Sequence, residues 1–143
     1  MLAYGLLDGS ILYDPQGELA ALVQYAESVL ATYTTSQQVI EDLRYWLAST
    51  KRKLEANQRS GGRLKSGFIV ATNSWKILEA LWAVNGLPIP PSGAVLARIH
   101  RLPERPDQLE SELGRLFLGT AEQRSESAAS LIDWVLGRLP NPA

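Results

Sequence analysis

Between Leu64 and Pro91 apolar residues recur at helical spacing. Phe68, Ala71, Trp75, Leu78 and Trp82 make one stripe, and Ile69, Val70, Ile77, Ala80 and Leu81 widen it past a single face. A helix apolar over most of its circumference is surrounded by other elements. This stretch is therefore predicted to be the central helix of an α-helical domain, with Trp75 and Trp82 in the core. Ser60, Gly61 and Gly62 break the chain ahead of it, and Asn85-Gly86 followed by Pro88, Pro90 and Pro91 supplies the stop. One narrow stripe stays polar: Lys65, Thr72, Lys76 and Glu79, with Asn73 beside it.

The same periodicity marks the flanking elements. Leu19, Leu22, Tyr25, Ala26, Val29 and Leu30 predict a helix from Glu18 to about Tyr33. Thr34-Thr35-Ser36 ends it and offers a cap for a second helix, about Gln37 to Asn57, on which Ile40, Leu43, Trp46, Leu47 and Leu54 form the stripe. After the central helix come a short helix capped by Ser92, one capped by Asp107 and running to about Leu118, and a last one from about Ala121 to Leu139, with Pro140-Asn141-Pro142 as a tail. Residues 2–13 read differently. Asp8-Gly9 is a favoured pair for a tight hairpin turn between Tyr4, Leu6, Leu7 and Ile11, Leu12, Tyr13, and Asp14-Pro15-Gln16-Gly17 makes a second turn. The expected fold class is mainly α: an antiparallel bundle of about six helices with a short N-terminal β-hairpin. In domain terms, residues 1–17 are a hairpin remnant or partner-facing element and 18–140 the bundle.

Composition narrows the function classes. At 143 residues with 45% hydrophobic and 20% charged content, the chain can bury one core and needs no special scaffold. It has no cysteine, which excludes disulfides, thiolate metal sites and thiol nucleophiles and fits a reducing cytoplasm. No apolar run approaches ~18 residues and no basic segment leads an apolar one at the start, so neither a membrane span nor a signal peptide is expected. The net charge of −1 hides an asymmetry. Residues 1–43 hold six acidic and no basic residues, whereas 44–65 hold seven basic residues against Glu55 alone. Either these are two solvated surfaces facing apart, or the second is a basic edge for phosphates or an acidic partner.

Candidate chemistry is sparse. His100 is the single histidine, so a histidine-built metal site is excluded. Gly61-Gly62-Arg63-Leu64-Lys65-Ser66-Gly67 is basic and Gly-rich but has the wrong spacing for a phosphate loop. As a helix start flanked by Arg63 and Lys65 it can still hold an anion weakly. Glu79, one turn from Lys76, is either a surface pair or a carboxylate at a cleft edge. Arg44, beside Tyr45 and Trp46, could help stack a ring, or the aromatics could simply pack. The candidate substrate- or anion-binding residues are thus Arg63, Lys65, Lys76, Glu79 and Arg44, with no catalytic or metal-ligating residue.

The run GLLDGSILYDPQGELAAL, residues 5–22, resembles the end of the catalytic sheet of small bacterial nucleotidyltransferases where it leads into their C-terminal helical domain. The aromatic central helix and proline loop, Trp75 to Pro91, are similar to the helical half of kanamycin-type nucleotidyltransferases and to HEPN helical domains. That family's metal-binding Asp-x-Asp occurs nowhere in this chain, and Arg98 and His100 are too close for the HEPN ribonuclease pattern. The resemblance implies a helical substrate- or partner-binding domain that does not transfer nucleotides alone. Mg²⁺ and ATP enter only with a catalytic partner domain. The expected partners are a nucleotidyltransferase catalytic domain or a second copy, met through the hairpin at 2–13. Neither a membrane nor nucleic acid is expected. The alternative is a self-contained HEPN-like interaction or nucleotide-binding protein, as a homodimer. An independent small enzyme built on Glu79 and Lys76 is a third reading.

Overall fold

The computed structural model describes residues 2–141. Pro142 of the expected tail lies outside this range, as do Met1 and Ala143. The described residues form seven α-helices: α1 (Leu2–Asp8), α2 (Glu18–Thr32), α3 (Gln37–Ser60), α4 (Arg63–Val84), α5 (Ser92–Arg98), α6 (Leu109–Leu118) and α7 (Ala121–Leu136), with a 3-10 turn at Ile99–Arg101. The mainly helical bundle is as expected, but the count of about six is not, because the segment read as a hairpin is itself helical. No strand occurs among the described residues. The reason lies in composition. LAYGLLD contains no β-branched residue, and leucine and alanine are good helix formers. Asp8-Gly9 ends this helix instead of turning a hairpin. The second expected turn is present: Gly17 takes a φ of 73° and its N–H donates to the Asp14 carbonyl at 3.2 Å.

The core lies where α3, α4, α6 and α7 meet. Leu47 and Leu54 of α3, Ile77 and Leu81 of α4, Leu116 of α6, and Leu131 and Ile132 of α7 are all sealed from solvent. α3 and α4 fold back on each other through a two-residue joint in which Gly61 adopts a left-handed φ of 70°. Buried Thr50 donates its hydroxyl to the Asn73 side chain across that pair at 3.0 Å. α7 starts beside the start of α4 (Arg63 to Glu122, 2.8 Å) and ends beside the start of α3 (Arg44 to the Leu139 carbonyl, 2.5 Å), so α7 runs alongside α4 and against α3. α4 stops as expected. Gly86 takes a φ of 63°, and Leu87 and Gly86 return their N–H groups to the Trp82 and Ala83 carbonyls. Ser36 caps α3 by accepting from the Val39 N–H, and Thr120 begins α7 with a full capping box. Ser92 and Asp107 do not cap. α5 and α6 instead open on backbone turns, in which the Pro91 and Pro106 carbonyls accept from the Ala94 and Leu109 N–H groups.

Candidate interaction surface

The five residues singled out from the sequence do not form one site. Arg44 turns toward α7 and donates to the carbonyls of Leu136, Leu139 and Pro140, where positive charge meets the negative end of a helix. It is a structural cap. Lys76 and Glu79 pair with each other at 3.0 Å, half-exposed, one turn apart on α4. Arg63 and Lys65 share the first turn of α4, but Arg63 is engaged with Glu122 and the Lys65 side chain is exposed.

Arg63 borders a cavity of about 460 Å³ at the joint of α3, α4 and α7, with Asn57, Ser66, Glu122, Ser125 and Glu126 among its walls. Two helix N-termini open here, which favours an anion, while two carboxylates oppose one. A second hollow, about 600 Å³, lies between the 103–108 connector and α7. Its arginines are occupied: Arg138 lies 4.3 Å over the Trp134 ring, and Arg105 donates to the Leu102 carbonyl at 2.6 Å. His100 is exposed, and among the described residues no three histidine, aspartate or glutamate side chains gather closely enough to hold a metal ion.

The sequence reading missed a different feature. The stripe expected to be core along the whole of α4 is divided. Trp82 is 1% exposed and Leu78 6%, whereas Trp75 is 40%, Phe68 67% and Leu64 90% exposed. Leu64, Phe68, Ala71 and Trp75 follow one another at intervals of four, three and four, so they occupy one face of the helix. At its C-terminal end that face belongs to the core. At its N-terminal end no described residue covers it. Tyr45 and Trp46 of α3, edge to face at 5.6 Å, are also largely exposed.

A second uncovered surface belongs to the N-terminal arm. α2 packs on α1 and hardly enters the bundle. Leu19, Leu22, Val23, Ala26, Val29 and Leu30 share one face of α2, but only Ala26 is buried. Leu12 and Tyr13, in the loop between the two helices, are 95% and 80% exposed. The arm is pinned at one place. Tyr4 is buried, donates its hydroxyl to the Pro88 carbonyl at 2.7 Å and lies under the Arg98 guanidinium at 4.7 Å. Arg98 also makes a bidentate pair with Asp8. That pair holds the Asp8 carboxyl below its usual range, chiefly through the hydrogen bonds from Arg98, while burial pushes the Tyr4 phenol up. Arg98 was visible in the sequence only as a neighbour of His100, and no local signal ties residue 98 to residues 4 and 8.

No family model, curated protein or solved structure matches this chain. Among the described residues no helix is long and apolar enough to cross a membrane.

Proposed function

We propose that this chain is a non-catalytic helical binding module that works through protein contact, as the C-terminal domain of a kanamycin-type nucleotidyltransferase would beside its catalytic domain. The observation that carries the reading is the divided face of α4: an apolar stripe continuous with the core that emerges, uncovered, from Trp75 to Leu64. Exposed apolar patches of this kind mark interaction sites, because leaving large aromatic side chains in water is costly unless a partner covers them. The sequence adds that Gly9-Ser10 has no Asp-x-Asp after it to bind Mg²⁺. The strands expected in 5–13 are not there, so the family likeness rests on the helical part, Trp75 to Pro91. Cytoplasmic residence belongs to the same proposal.

Two measurements test it. Incubation with labelled ATP, Mg²⁺ and a panel of hydroxyl acceptors yields no adduct; a metal-dependent product that survives repurification removes the non-catalytic reading. At a dilution where the chain is free of self-association, an environment-sensitive apolar dye binds the native chain and loses most of that binding in Phe68→Glu, with far-UV circular dichroism unchanged. A diluted native chain that binds no dye, or a Phe68→Glu variant that binds it equally, removes the α4 face as the working surface.

A further inference from the structure

Resting on that reading, we infer that the occupant of the open α4 face is the α1–α2 arm of a second copy of this chain, in a reciprocal two-fold contact. Three observations converge. The first is surface area. A compact monomer of 15.7 kDa exposes about 7300 Å² by the usual mass scaling, yet this chain exposes 8710 Å². The excess, roughly 1400 Å², exceeds the ~800 Å² that each partner of a standard-sized interface contributes. The second is shape. The stripe from Leu64 to Trp75 runs about 16 Å along its axis, and α2, with 15 residues, is about 22 Å long, so the helix is long enough to lie along the stripe, with Leu19, Leu22 and Tyr25 among its open residues. The third is charge. Beyond α1 the arm and its loop carry Asp14, Glu18 and Glu27, and no basic residue occurs anywhere in the arm. Exposed Lys65, Arg59 and Lys53 border the stripe or the adjoining end of α3. An acidic apolar helix on a basic-edged apolar face is a complementary match.

The arm does not serve its own stripe. Tyr4 fixes α1 at Pro88, beyond the C-terminal end of α4, and Leu64 begins the opposite end, about 30 Å away along the axis. A second copy related by a two-fold axis brings its arm to that end and offers its own stripe in return, so each dimer contains the same contact twice.

Light scattering on the full chain across a concentration series gives a mass tending to twice 15.7 kDa. Added salt weakens the association by screening the charged edges. Phe68→Glu on the stripe and Tyr25→Glu on the arm each raise the dissociation constant by about tenfold or more, as the loss of interface aromatics does. Circular dichroism and the milder Phe68→Ser and Tyr25→Ser variants separate this from misfolding. Mixing the two Glu variants restores a heterodimer through the one intact arm-to-stripe contact; a stripe-to-stripe dimer would not be rescued. A full chain that stays monomeric, a dimer indifferent to both substitutions, or a mixture without rescue overturns the inference. In each of those outcomes, dye binding by the diluted chain that depends on Phe68 leaves the binding-module reading standing, whereas absent dye binding at that dilution removes both.

Discussion

At the scale of single residues the molecule depends on two arginines that look like ordinary surface charge in the sequence. Arg44 closes the end of α7 by donating to the carbonyl of Leu136, its last residue, and to those of Leu139 and Pro140 just beyond it. Arg98 holds Asp8 with its guanidinium edge and Tyr4 with its face. The second cluster makes docking of α1 depend on pH in a definite sense. Asp8 has its folded pKa depressed below the ordinary 3.8, so its contribution is present above that value and is lost as pH falls through the depressed one. Tyr4 has its folded pKa raised above 10.0, so its contribution is complete below that value and is lost as pH rises through the raised one. The amide signals of residues 2–8 are thus expected to change at the acid end before those of α4 and α7 do. In Asp8→Asn the acid step disappears. Signals of α1 and α4 that move together at all pH values would contradict this account.

At the scale of elements, helix periodicity located α2 to α7 to within a few residues, and the stops at Gly61 and Gly86 were legible because only glycine takes those left-handed positions without strain. Two things were not legible. The Asp8-Gly9 pair suits a hairpin turn and a helix end equally, and the decision falls to the residues before it. Apolar spacing also says which face of α4 is sticky, not which half of that face has a neighbour. Trp75 and Trp82 lie two turns apart on one face, so the sequence treats them alike, whereas the fold covers only Trp82. Their substitutions should therefore diverge. Trp82→Ala is expected to cost about 3–5 kcal/mol in urea unfolding, as deletion of a buried tryptophan does, and Trp75→Ala roughly half that or less. Equal losses would mean that Trp75 is covered after all. Of the candidate site, Arg63 and Lys65 were correctly placed on one helix start. The sequence could not show that Glu122, 59 positions away, would face Arg63.

At the scale of the whole molecule, the chain consists of a bundle closed around a sealed core and an arm pinned at one place. α3 with α4, and α6 with α7, are joined by two-residue connections, so their contacts form between segments that are never far apart. α7 closes on α3 from as far away, Arg44 and Leu139 being 95 residues apart, but it does so across the sealed core, whereas the latch between Tyr4 and Pro88, 84 residues apart, holds an arm that leaves most of its own apolar face open. Both closures bear the chain-entropy cost of long sequence separation, and the extensive apolar burial that offsets it belongs to the bundle and not to the arm. The arm is therefore the last piece to be added when the chain folds and the first to be released. Tyr4→Phe, which removes one hydrogen bond worth about 1 kcal/mol, should leave the refolding rate of the bundle unchanged and fall wholly on the release of the arm. Stopped-flow refolding followed by tryptophan emission, with hydrogen exchange of α1 measured alongside, reads the two events separately. A slower refolding phase in Tyr4→Phe would place the latch in the folding nucleus. With the latch forming last, an emerging chain completes its bundle first, with the α4 stripe already bare, and only then fixes the helix that a twin would take up.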